Sequence, residues 1–187
     1  MSTDSTEVNR RALLQLAAGM AAAPAAMAAP PAKARPPAPT GRPGDFDFLS
    51  GQWKIRHRQR KGEQWDSFEG EATVHGLLAG VASVEELRIP ERNFSGMGLR
   101  LLDPERRLWA DYWVNGRSGV LTPPPAWGSF VDGVGLWDGD DTDGDQPIIV
   151  RGAWDQITAR SCRWYQATSR DGGATWQESW VMHWERA

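Results

Sequence analysis

The sequence predicts an all-β fold, a single antiparallel β-barrel of about 8–10 short strands over its C-terminal three quarters. Three observations carry this. From Asp45 onward apolar residues recur with a period of two, in short runs bounded by Gly, Pro and Asp. Eleven Trp stand against two Tyr and five Phe, all eleven between Trp53 and Trp184, and each large ring can bury about 150–250 Å². A long meander in one small domain leaves unpaired edge strands, which closure into a barrel removes.

The elements follow in order. Trp53, Ile55, His57 and Gln59 share one face of the first strand, and Lys54, Arg56, Arg58 and Arg60 share the other. In the next, residues 67–75, Phe68, Gly70, Ala72 and Val74 alternate with Ser67, Glu69, Glu71 and Thr73. A hairpin through 61–66 sets Glu69 and Glu71 near the outer arginines, so the basic run reads as a solvated, partly neutralised face. Further strands are expected at 81–87, 95–102, 108–115, 148–154, 159–168 and 176–186. In the last, Trp176, Glu178, Trp180, Met182 and Trp184 share one face. Ser169-Arg170-Asp171-Gly172-Gly173 reads as its hairpin turn.

The first 28 residues read as an address. Arg10-Arg11 precedes an Ala/Gly-rich apolar run, and Ala26-Met27-Ala28 offers a cleavage site. This is the pattern of a twin-arginine signal, which implies the twin-arginine export machinery as partner and a periplasmic or secreted product. Residues 29–44 hold six prolines and read as a disordered tether. No later segment has the length of a membrane span. The net charge of −3 gives no reason to expect nucleic-acid binding, and the lone Cys162 excludes an internal disulfide.

Phe46-Asp47-Phe48-Leu49-Ser50-Gly51-Gln52-Trp53 is similar to the Gly-x-Trp start of lipocalin-like barrels. Together with Lys54 to Arg58, Asp132-Gly133-Val134-Gly135, residues 169–176 and Trp180-Val181-Met182, it resembles a widespread family of bacterial proteins with a lipocalin-like domain. The resemblance spans about residues 45–187 and implies a barrel with a short helical turn plugging one end. It implies no reaction. Tyr165 and His183 stand where that family's pattern is acidic.

Several motifs read as structural. Ser169-x-Asp171-x-Gly173-x-Thr175-Trp176 fits the Asp-box of sialidase-type propeller hairpins, but a single copy is a turn device. Asp138 to Asp145 fails the EF-hand template and reads as an acidic turn before strand 148–154. His57, His75 and His183 lack metal-ligand spacing, so no metal site is expected.

The functional expectation is a barrel that binds one small, largely apolar ligand. His57, Tyr112 and Arg151 are the candidate polar groups, and Trp113, Trp164 and Trp180 the candidate walls. Arg151, a cation between apolar neighbours, needs an anionic partner if it faces inward. The alternatives are an isomerase, cyclase or lyase acting on a hydrophobic acid, with His57 as base and Arg151 as carboxylate clamp, or a ligand-free structural domain. No cofactor is expected, haem held through His57 being the lesser alternative.

The export signal has a direct test. Arg10→Lys with Arg11→Lys keeps the charge but removes the planar guanidinium pair, so uncut precursor should accumulate in the cytoplasm on fractionation. Mature protein exported in unchanged amount would sink the twin-arginine assignment.

Overall fold

Burial along β1 (Gly51–Lys61) sets the geometry of the whole sheet: Trp53, Ile55, His57 and Gln59 are buried, and Lys54, Arg56 and Arg58 between them are exposed. A computed structural model describes residues 33–187. The expected signal at 1–28, and residues 29–32 of the tether, lie outside the described residues. Beyond β1 the strands are β2 (Gln64–Leu77), β3 (Ala82–Ile89), β4 (Phe94–Asp103), β5 (Leu108–Asn115) and β6 (Ala126–Val131). They continue as β7 (Val134–Asp143), β8 (Gln146–Asp155), β9 (Ser161–Ser169) and β10 (Gln177–Arg186). Each pairs antiparallel with its neighbour in sequence, and β10 returns to β1, so the ten strands form a closed barrel.

The β1–β2 hairpin has the expected register, with Lys54 opposite Glu71 and Arg56 opposite Glu69. The side chains take other partners. Arg56 reaches Glu185 of β10 at 2.7 Å, and Glu71 is held by Arg88 of β3 at 2.8 Å. Cations of β1 lie between two acid-bearing strands, so an exposed pair can form on either side at little difference in energy.

Two strands escape the sequence reading. β6 is only six residues long, β7 carries few β-formers, and Asp138 to Asp143, expected as a turn, belong to β7. Only residues 144–145 make the turn into β8, with Gly144 at φ 58°. The turn between β9 and β10 is as expected, but a β-bulge between Glu178 and Trp180 breaks the expected face of the last strand. Trp180, Met182 and Trp184 point inward, while Trp176 and Glu178 lie on the outer wall against Arg151 and Arg163. Asp171 accepts hydrogen bonds from the hydroxyl and backbone N–H of Thr175, which hold its carboxyl down to about 2.

One end of the barrel is sealed by a plug. A 3₁₀ turn, Asp47–Leu49, buries Leu49, whose carbonyl accepts the Trp53 indole N–H at 2.7 Å. Phe46 meets Trp109 edge-on at 4.9 Å and Phe130 at 5.1 Å. From β10, the Arg186 guanidinium stacks over Trp53 and donates to the carbonyls of Phe48 and Ser50.

Residues 33–44, expected to be a free tether, run along the outer wall. Ala34 donates its N–H to Asp140 (2.7 Å), Thr40 bonds the Phe130 carbonyl (2.8 Å), and Gly41 donates to Arg107 (2.8 Å). Proline removes donors that would need partners, which suits a segment laid on a sheet face with few polar contacts.

Trp53→Ala should cost about 3–5 kcal/mol, because the ring is buried and its void cannot collapse. Trp65→Ala, at a ring 36% exposed, should change stability by less than about 0.5 kcal/mol. Urea midpoints of the two variants check the contrast.

Candidate functional site

The inward faces hold two polar groupings among the Trp rings. The first is near the end opposite the plug. His57 of β1 lies opposite Phe68 of β2, and the rings stack at 4.6 Å and 8°. The Trp180 indole N–H of β10 donates to His57 Nδ1 at 3.1 Å. An indole nitrogen can only donate, so Nδ1 holds the lone pair and Nε2 carries the proton. Nε2 is buried with no hydrogen-bond partner. It lies against Gly70, where a Cβ would come within 2.5 Å of it, so this position admits no larger residue without displacing the imidazole.

Burial, and then the charge of Arg92, push the His57 pKa down to about 3. The ring is therefore neutral at physiological pH and offers an N–H donor. This arrangement does not fit a haem ligand: Nδ1 is engaged as an acceptor and Nε2 is protonated, so neither nitrogen has a free lone pair for iron. Among the described residues no group of three His, Cys, Asp or Glu side chains could hold a metal ion.

Trp164 of β9 meets the Trp180 ring edge-on at 5.8 Å. Trp113 of β5 also points inward and lies flat on Gly96, where a Cβ would meet its ring at 2.2 Å. Over the same end, Arg92 from the β3–β4 turn stacks on Phe68 at 3.2 Å and pairs with Asp66 at 2.6 Å.

The second grouping sits nearer the plug. Arg100 of β4 and Glu85 of β3, each 1% exposed, form an ion pair, and Asp111 of β5 stands 3.7 Å from Arg100 Nε. Burial opposes the Arg100 charge, but the Glu85 and Asp111 carboxylates outweigh it, and its pKa is raised. Arg100 Nε and Nη1 make no hydrogen bond. The Cys162 thiol nearby is pushed up to about 12, first by burial and then by Glu85, so it is protonated and unreactive.

Of the expected site residues, His57, Trp113, Trp164 and Trp180 face the interior. Tyr112 and Arg151 do not. Tyr112 has the opposite parity to the inward Trp109 and Trp113 and lies on the outer wall. Arg151 also lies outside, bound to both oxygens of Asp138 at 2.7 Å and stacked on Trp176 at 3.8 Å. Its apolar neighbour Ile149 shares that outer face and is buried there, which made an outer strand face look like a core one. The pairing of His57 as base with Arg151 as clamp is therefore lost, since the barrel wall separates them.

Glu85, Arg100, Asp111 and Arg92 escaped the sequence reading. Parity alone could have placed Arg100 inward with Gly96 and Gly98, but a cation between glycine and leucine reads equally as a surface residue.

No family model matches the chain, and no curated protein does. Solved structures give distant likenesses. A redesigned β-barrel aligns over 79% of this chain and 98% of its own, with 10% identity and a TM-score of 0.43. A protein of unknown function from the DUF3598 family of Nostoc punctiforme aligns over 76% of this chain and 49% of its own, with 14% identity and a TM-score of 0.46.

A buried histidine held neutral leaves a mark on stability. The unfolded ring takes up a proton below about pH 6.5 and the folded ring only near 3, so stability is full above the first value and falls as pH drops toward the second. The loss amounts to about 5 kcal/mol at 1.36 kcal/mol per unit. Urea unfolding between pH 6.5 and 3 should show His57→Gln with a shallower acid dependence, by about one proton. Equal slopes would remove the assignment.

Proposed function

We propose that this chain is an exported, lipocalin-like barrel that holds one small, largely apolar ligand in its interior. The observation that supports this most is Arg100, a fully buried guanidinium with two nitrogens lacking hydrogen-bond partners inside a Trp-lined barrel. A buried donor left unmade costs about 1–3 kcal/mol, more when charged, so an acceptor from outside the chain accounts for it economically. His57 Nε2 adds a second such donor. Two carboxylates already face the one guanidinium, so the favoured ligand group is an uncharged acceptor such as a carbonyl or hydroxyl, not a second anion. The Gly-x-Trp start after a plugging turn supports the lipocalin-like reading, and Arg10-Arg11 supports the export.

Native mass spectrometry of the mature protein purified from its own cell envelope tests this. A bound species that dissociates on collisional activation is the expected result. The triple variant Glu85→Gln/Arg100→Met/Asp111→Asn removes the three charges together and should keep the fold while losing that species. A bare chain mass for the unmutated protein overturns the reading.

A further inference from the structure

The outer wall carries a separate cleft. Residues 33–40 cross it as a strap pinned at two points: Ala34 N–H to Asp140 at one end, and at the other the Ser129 hydroxyl, which donates to the Ala38 carbonyl and also accepts from Thr40 (3.0 Å). Between the pins run Arg35, Pro36 and Pro37, and an extended proline-bearing segment spans about 3.1 Å per residue without sagging onto what lies below. Beneath it is a cleft of about 540 Å³, within the range of about 300–1,000 Å³ common for small-molecule sites.

Val131, Val134, Leu136 and Ile149 supply its apolar lining, and Trp176 flanks them. Val131 and Val134 are 45% and 37% exposed, so the strap does not cover this surface. The charged lining is three cations, Lys33, Arg35 and Arg151, against one carboxylate, Asp138. Asp138 is occupied by Arg151, and Asp140 beside the cleft receives the Ala34 N–H. Neither Lys33 nor Arg35 has an ion-pair partner among the described residues, and both are exposed.

We infer that this strapped cleft is a second binding site, distinct from the barrel interior, for a small amphipathic anion. The apolar body lies on Leu136 and the valines, and the anionic group lies under Lys33 and Arg35. The strap serves as a lid whose cations supply the charge recognition.

Dodecanoate, used below its micelle concentration on the full chain, is a suitable probe. It should bind and slow amide hydrogen exchange at residues 33–35 and 134–138. Lys33→Glu/Arg35→Glu and, separately, Leu136→Asp should each weaken binding by roughly tenfold, a loss equivalent to one decade in Kd. Dodecyl maltoside, with one more carbon in its tail and no charge, should bind more weakly than dodecanoate. Glu85→Gln/Arg100→Met/Asp111→Asn should leave dodecanoate binding intact, which separates this site from the interior one. Should Leu136→Asp perturb folding, the exposed Lys33/Arg35 pair still decides the matter. Unchanged affinity in that double variant, exchange protection confined to the interior strands, or equal binding of the uncharged detergent would overturn the proposal.

Discussion

The pairing of β10 with β1 is the constraint on which everything else depends. Seven consecutive positions align, from Trp53 opposite Arg186 to Gln59 opposite Trp180. With this seam made, every strand has a neighbour on both sides, and alternate side chains are committed to one enclosed space. That commitment brings His57 against Trp180, residues 123 apart in sequence. It also brings Arg186 onto the plug carbonyls, so the seam and the sealed end are stabilised by the same strand.

Enclosure changes the worth of the charges inside. A pair such as Arg56–Glu185 on the surface contributes little, because water screens it and both side chains lose freedom. Glu85 and Arg100 have lost their water, and removing either partner alone leaves a charge that the interior cannot solvate. The same exclusion keeps His57 neutral and Cys162 protonated. The interior thus presents donors, from a neutral His57 and a charged Arg100, to whatever it contacts.

How much of this was legible follows from what alternation can encode. β1 and β2 were readable because polar and apolar residues alternate sharply there, as in Trp53 to Gln59, and β10 because Trp180, Met182 and Trp184 recur at every second position. β6 and β7 were not, since Gly128, Gly135 and Gly139 interrupt the inward row and leave Phe130 and Trp137 as its isolated apolar marks. For Arg151 the difficulty was different. A strap from elsewhere in the chain helps bury Ile149 on the outer face, and no local pattern announces a distant cover. Interior charges fail for a third reason: Glu85 and Glu86 are adjacent, and only the completed sheet decides which of them faces in.

The seam also orders events in time. Its two strands are separated by nearly the whole folded sequence, with eight others between them. A ribosome that has delivered β1 to β9 has delivered an open sheet with two bare edges and a half-exposed row of indoles. Only when β10 is free of the exit tunnel can the sheet wrap, so closure comes after every other pairing and bears the loop-closure cost of the most distant contact. Until then the nascent chain is a strand-pairing template, and its cationic outer β1 face is the feature that discourages intermolecular edge pairing.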